Sequence, residues 1–247
     1  MKKYLRALVM CFSMFCAIPC PIHSWAEESV PYISLFLPLV GAFVGGLWTL
    51  CAYVLRLLAL PNLVNAAILC AFPFLITGGM HMDGFLDVTD AVKSRRPLEE
   101  RRKILKDPHV GSFAVLSAIL LIMGQFALFA SAKEEANILA LLIICVCSRC
   151  MAAAAVILLK PMKTSQYATA KTRSKVRALV PLLVLAAVVA CGFVFFGKYG
   201  FVSLAVIAGY SVFAACGYRS LQGMSGDISG YALTLAELCG VAVYALI

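Results

Sequence analysis

The chain has 247 residues, 63% of them hydrophobic and 13% charged, with a net charge of +9 from 21 Lys and Arg against 12 Asp and Glu. Soluble domains average about 45–50% apolar and about 25% charged, so this surplus cannot be hidden in one aqueous core and must face lipid or other helices. Disorder, a collagen-like repeat and a disulfide-stapled secreted module are excluded; the composition predicts an all-α polytopic membrane bundle, a single domain over 1–247.

In chain order, Lys2, Lys3 and Arg6, the apolar run 7–18 and Ser24-Trp25-Ala26 have the outline of a signal peptide. Pro19 and Pro21, on either side of Cys20, would break a helix there. Seven apolar stretches then reach, or nearly reach, spanning length: 33–55, 62–78, 112–131, 136–159, 178–196, 201–216 and 231–247. The first two are joined by the short turn Leu60-Pro61-Asn62 and read as a hairpin. Basic residues crowd 93–106 and 160–177, while the alternate connections hold little beyond Lys133 and Lys198. The positive-inside rule therefore places both long loops and the 217–230 connection in the cytoplasm, the N-terminus inside and the C-terminus outside. Residues 1–25 are then expected to lie along the inner face or dip back without crossing. The charge points to anionic headgroups and not to nucleic acid, since no basic stripe is interleaved with aromatics.

Of the 11 cysteines, Cys51, Cys70, Cys145, Cys191, Cys216 and Cys239 lie inside apolar runs, where cysteine acts as a small hydrophobe. Cys147 and Cys150 form a CxxC with no second pair, which does not supply the four ligands of a zinc site.

The chemistry concentrates in Gly78-Gly79-Met80-His81-Met82-Asp83-Gly84-Phe85-Leu86-Asp87-Val88-Thr89-Asp90. Asp83, Asp87 and Asp90 stand at i, i+4 and i+7 and stack on one helix face. Like charges in a column repel, and a divalent cation such as Mg²⁺, which shares carboxylates with substrate phosphates, removes the repulsion; a merely solvated helix face is the alternative. His81 is a candidate to orient a carboxylate, bind metal or move a proton, or is simply structural. The run containing Arg95, Arg96, Arg101, Arg102 and Lys106 supplies the cations a diphosphate needs, unless it is only a positive-inside loop. Ser225, Gly226 and Asp227 read as a helix N-terminus near phosphate or metal, or as an N-cap, leading into a helix that carries Glu237. Arg149 lies mid-span, where an ionisable residue is functional by default and would contact a polar substrate.

Together these segments resemble the cobalamin-5′-phosphate synthase family, also called adenosylcobinamide-GDP ribazoletransferase. The stretch 78–90 is similar to that family's signature, Lys106-Asp107 to Gly111 to its second block, and Ser225-Gly226-Asp227 to Glu237 to its last. Phe15, Ile18-Pro19-Cys20-Pro21, Glu27-Glu28 and Phe36-Leu37-Pro38-Leu39-Val40-Gly41 match its opening in order, which implies that the N-terminal segment is retained. The resemblance covers nearly the whole chain, with departures at Ala17, Ala91, His109, Ala114 and Thr234 and over 165–171.

What the resemblance implies is Mg²⁺-dependent phosphoryl transfer at the cytoplasmic face of the inner membrane. A ribose hydroxyl of α-ribazole, or of its 5′-phosphate, would attack the cobinamide-side phosphorus of adenosylcobinamide-GDP and expel GMP. Asp83, Asp87 and Asp90 would hold Mg²⁺, with Asp107, Asp227 and Glu237 as further ligands and His81 as base. Arg95, Arg96, Arg101, Arg102, Lys106, Arg149, Ser225 and Gly226 would bind substrate phosphate. Expected partners are these substrates, the bilayer and other corrinoid-pathway enzymes. The rivals are another membrane phosphotransferase, such as a CDP-alcohol phosphotransferase, whose motif order this chain lacks, and a small-solute transporter, which would carry ionisable residues in several spans.

Overall fold

The structure, a computed structural model, describes residues 2–17, 25–133, 135–162 and 174–247. The readings made at 18–24 and 165–171 lie outside them. Among the described residues the helices are α1 (Lys2–Phe15), α2 (Val30–Ile33), α3 (Leu37–Leu58), α4 (Asn62–Ile76), α5 (Met80–Lys93), α6 (Leu98–Ile104), α7 (Ser112–Ser131), α8 (Leu139–Leu158), α9 (Lys175–Phe196), α10 (Gly200–Leu221) and α11 (Gly226–Leu246).

The core forms around α8, which is buried on nearly every side and packs against α3, α9, α10 and α11. Its sequence explains this position: Cys145, Cys147, Cys150 and the alanines that follow are small enough for neighbouring backbones to come close. On α3, a Cβ at Gly41 would stand 2.6 Å from the Cys145 carbonyl oxygen. The cysteines of the CxxC are packing residues, wholly buried and without disulfide or metal partners among the described residues.

Among the described residues five stretches are long and apolar enough to cross a membrane, or six when α4 and α5 are taken as one broken span. One of the five, Lys175–Leu221, folds back on itself at Gly197–Tyr199. The Phe193 and Phe201 rings lie 5.2 Å apart across that turn, although eight residues of continuous helix would separate them by about 12 Å. With α9 and α10 counted apart, seven helical segments run between the two ends of the bundle, as the apolar runs indicated. Their limits differ in an instructive way. α10 continues to Leu221 and α11 begins at Gly226, each five residues beyond the apolar stretch, because the polar ends of helices near the membrane boundary carry no hydropathy signal.

The larger difference is at 62–78. α4 is 15 residues long, about 22 Å, and does not continue; Gly78 and Gly79 both take positive φ, at 63° and 74°, and α5 departs at 90° to α4. Glycine has no Cβ to oppose that conformation, so two in succession give a sharp elbow.

The two ends of the bundle have different contents. At one end Lys133 and Lys198 both donate to the Ile247 carbonyl oxygen, and Asn62 donates to that of Ala130 at 2.8 Å. At the other, the Met162 amide donates to the Met224 carbonyl at 2.9 Å and the Met224 amide to the Lys160 carbonyl at 2.8 Å; Arg102 donates to the Leu221 carbonyl. The N-terminal segment belongs to this second end: the Ala17 amide bonds the Ile76 carbonyl at 2.8 Å, and Arg6 pairs with Glu28 at 3.0 Å. α1 is 14 residues long, too short for a ~30 Å hydrocarbon core, and buries Ala7, Met10 and Cys11 while Lys2, Lys3 and Arg6 stay exposed. It lies against the bundle end, as an interfacial segment should.

Candidate active site

The elbow lays α5 across the end of the bundle, against the first turns of α11 and α7. A single residue decides how closely. A Cβ at Gly84 would stand 2.7 Å from the Asp227 carbonyl oxygen and 3.0 Å from its Cα, so only glycine permits this crossing. A second glycine on α11, Gly230, lies against the His81 backbone, and Thr234 donates to the His81 carbonyl at 3.2 Å. The contact at Gly84 brings Asp227 beside Asp83 and Asp87, from opposite ends of the sequence. Asp83 is exposed and Asp87 half-buried, with Asp87 feeling the like charges of Asp83, Asp227 and Asp90.

α11 starts at this point because Ser225 caps it, its hydroxyl accepting from the Ile228 amide at 3.2 Å. The same hydroxyl donates to Asp227 Oδ2 at 3.3 Å. The helix N-terminus anticipated at Ser225 and Gly226 is therefore present and faces the aspartates.

Asp90 is placed differently from its two partners in the column. Its carboxylate is buried and accepts from the Gly111 amide at 2.6 Å and the Ala114 amide at 2.8 Å, so it caps α7 from another helix. Gly111 is required there, since a Cβ would fall 2.7 Å from Oδ2. The signature segment and the second block are joined by this cap.

Several of the expected site residues have other partners in the fold. Glu237 is the counter-ion of Arg149, which is wholly buried and pairs with it, and Ser148 donates to the same carboxylate at 2.9 Å. It stands ten residues along α11 from Asp227, about 15 Å, and so outside the aspartate group. Arg149 is wholly buried, and among the described residues its Nε and Nη2 have no hydrogen-bond partner. Asp107 belongs to His109, whose backbone amide donates to it at 3.0 Å and whose ring meets it at 2.7 Å. The amide first, then the ring, holds the Asp107 carboxyl below the ordinary carboxylate range. His81 is buried, stacks on Phe15 at 5.8 Å and has no partner at Nε2. Two residues turn a helix by about 200°, so it points away from Asp83.

The basic run divides as well. Arg102 closes the C-terminal end of α10 through the Leu221 and Gln222 carbonyls, and Arg96 pairs with Glu100 at 3.0 Å. Arg95, Arg101 and Lys106 have no ion pair among the described residues.

Among the described residues no three His, Cys, Asp or Glu side chains converge as a preformed metal-binding group. Of the six carboxylates expected as ligands, Asp83, Asp87 and Asp227 lie together at the Gly84 crossing. Carboxylate oxygens at the edge of a close helix crossing nonetheless suit a hard divalent cation completed by substrate phosphates and water.

Over residues 7–245 the chain matches the family model described as cobalamin-5-phosphate synthase. It belongs to that family. A relative named adenosylcobinamide-GDP ribazoletransferase from Clostridium perfringens strain 13 is 31% identical over the whole of both chains, and one of the same name from Clostridium botulinum strain Alaska E43 is 32% identical over 98% of this chain and 97% of its own. A third, from Halalkalibacterium halodurans, is 38% identical over 61% of this chain and 59% of its own. No solved structure matches. Three of the positions where the sequence departs from the resemblance sit at contacts: Thr234 on the His81 carbonyl, Ala114 on Asp90, and His109 on Asp107.

The contacts that sequence reasoning missed are long-range ones. Ser148 meets Glu237 across 89 residues and Gly111 meets Asp90 across 21, and no local pattern announces either. The pairing of Arg149 with Glu237 did have a signal, since each is an ionisable residue in an apolar span and needs an opposite charge.

Proposed function

We propose that this chain catalyses the reaction in its relatives' printed name, ribazole transfer onto adenosylcobinamide-GDP, in an assembly step of cobalamin. The observation that carries the reading is the meeting of Asp83, Asp87 and Asp227 at the Gly84 crossing, with Arg95, Arg101 and Lys106 in the segment that follows α5. Phosphoryl transfer asks a protein mainly for positioning and charge neutralisation, and this end supplies both signs of charge.

In this reading a ribose hydroxyl of α-ribazole, or of its 5′-phosphate, forms a new O–P bond at the cobinamide-side phosphorus. The bond to GMP breaks, GMP leaves with its electron pair, and the hydroxyl proton passes to solvent. Asp83, Asp87 and Asp227 would hold Mg²⁺, which would supply neutralisation of the phosphate charge. Asp90 fixes α5 against α7 so that the other two carboxylates keep their spacing. The basic residues of 95–106 hold phosphate oxygens that the carboxylate side leaves uncovered. The Ser225–Asp227 turn presents a helix N-terminus to the same region, favourable for anions.

The charge distribution between the two ends supports a cytoplasmic-membrane protein whose aspartate end faces the cytoplasm. The exposed Glu99, Glu100, Lys103 and Lys106 are then the surface open to other corrinoid-pathway enzymes. The test is the purified full-length protein in lipid with adenosylcobinamide-GDP, α-ribazole and Mg²⁺. GMP and a corrinoid product should appear together and in equal amounts. Hydrolysis to GMP without joined product, or no GMP at all, would overturn the assignment.

A further inference from the structure

α5 has a second face. Thr89 follows Asp87 by two residues and is turned from it by about 200°, so it looks away from the carboxylates and into a cavity of about 390 Å³. α7 and α10 pack on either flank of α11 without extensive contact between them, and the cavity fills the cleft they leave, with α5 as its roof.

Its polarity is graded. At the α5 end stand Thr89, Lys93 and Ser117; beyond them lie Tyr231, Leu235 and Leu238 of α11, which carry the apolar wall about 10 Å further toward the bundle middle. On the α7 flank Leu116 and Leu120 are more than half exposed, as residues facing acyl chains would be. The polar end pairs an exposed cation with a buried hydroxyl. Lys93 has three donor hydrogens; its Nζ meets the Ser117 hydroxyl at 2.7 Å, and none of the ion pairs among the described residues includes it. Among the described residues the buried Thr89 hydroxyl has no partner, an arrangement that costs free energy until an acceptor arrives.

We infer that this cleft is a binding site for a phospholipid with an anionic headgroup, the headgroup at Lys93 and Thr89 and an acyl chain along Leu235 and Leu238. A cation and an unmet hydroxyl at one end of an apolar slot are complementary to an anion joined to a hydrocarbon, and a slot that opens to the bilayer has lipid as its solvent. Free phosphate would leave the apolar wall unfilled. Because the roof of the cleft is the helix that carries Asp83 and Asp87, the bound lipid supports the back of the candidate active site.

The test counts lipids and does not depend on transferase activity. Full-length protein is taken from nanodiscs of equal parts phosphatidylcholine and phosphatidylglycerol, and the lipids that remain on it are weighed by native mass spectrometry. The wild type should retain phosphatidylglycerol preferentially, and Lys93→Gln should lower that preference about fivefold, the worth of one lysine near an anionic lipid surface. Leu235→Trp, which fills the apolar end and leaves every charge in place, should lower retention of both lipids; it decides the question if Lys93→Gln does not fold. Equal retention of the two lipids by the wild type, an unchanged preference in Lys93→Gln, or unchanged retention in Leu235→Trp would overturn the proposal. So would displacement of the bound lipid by glycerol phosphate alone, or by α-ribazole, which would make the cleft a pocket for a free phosphate or for a flat aromatic base.

Discussion

α11 carries two acidic side chains, Asp227 and Glu237, and their surroundings are opposite. Asp227 sits in the first turn at the rim of the bundle, half-buried, with one weak bond from Ser225 and other carboxylates for neighbours. Glu237, three turns deeper, is filled by Arg149 and Ser148. Desolvating an ion costs several kcal/mol unless an opposite charge accompanies it, so a carboxylate in the bundle interior must have its partner built into the chain. One at the rim stays hydrated and can accept a partner that comes with substrate. Two residues of similar chemistry on one helix therefore serve different ends, and depth separates them.

The comparison can be broken by exchanging the outcomes of two substitutions. The largest effect is expected for Glu237→Leu, which strands the Arg149 charge: a loss of about 3–5 kcal/mol, read by denaturant unfolding in detergent, with most of it recovered in the double variant Arg149→Met, Glu237→Met. A single-variant cost near zero would mean that the pair is not structural. Next, Asp87→Asn should reduce turnover by about 10²–10³, equivalent to about 2.7–4 kcal/mol in the barrier, and leave the unfolding midpoint where it was. If Asp87→Asn unfolds the protein and Glu237→Leu spares it, rim and interior have been assigned the wrong way round.

Two further variants sharpen the picture. Gly84→Ala places a methyl 2.7 Å from the Asp227 carbonyl oxygen, overpacking worth about 1–3 kcal/mol; activity should fall further than unfolding alone explains, because the helices that hold the aspartates are pushed apart. Asp90→Ala removes the cap on α7, at about 0.5–2 kcal/mol. It should raise the KM for Mg²⁺ less than Asp87→Asn does, if Asp90 frames the site and Asp87 occupies it.

The apolar runs made the bundle legible, and the spacing of Asp83, Asp87 and Asp90 made α5 legible as a helix with an acidic face. Hydropathy could not show that Gly78 and Gly79 end a span, since the residues before them are as apolar as any membrane helix. Charge type alone could not sort the acids. Asp90, Asp107 and Glu237 look like Asp83 in a sequence, and only the amides of Gly111 and Ala114, the His109 ring and the Arg149 guanidinium distinguish them. The same is true of Arg102, a cation that proves to be occupied by the carbonyls at the end of α10. What a sequence lacks is the distant partner, as the Gly111 amide is for Asp90 and the Arg149 guanidinium for Glu237.

The Gly84 crossing has a consequence for how the protein is made. α5 carries three aspartates and packs mainly on α11, yet the ribosome finishes α5 long before α11 exists. During synthesis at about 5–20 residues per second, the acidic helix waits on the order of ten seconds for the wall that completes its surroundings. Until then it has no close-packed face for its glycine side, and its charges disfavour entry into the hydrocarbon. The translocating machinery must therefore leave α5 at the membrane surface while α7 to α10 insert past it. Completion of the aspartate group is then the closing event of biogenesis, since Asp227 joins Asp83 and Asp87 only once α11 is in place.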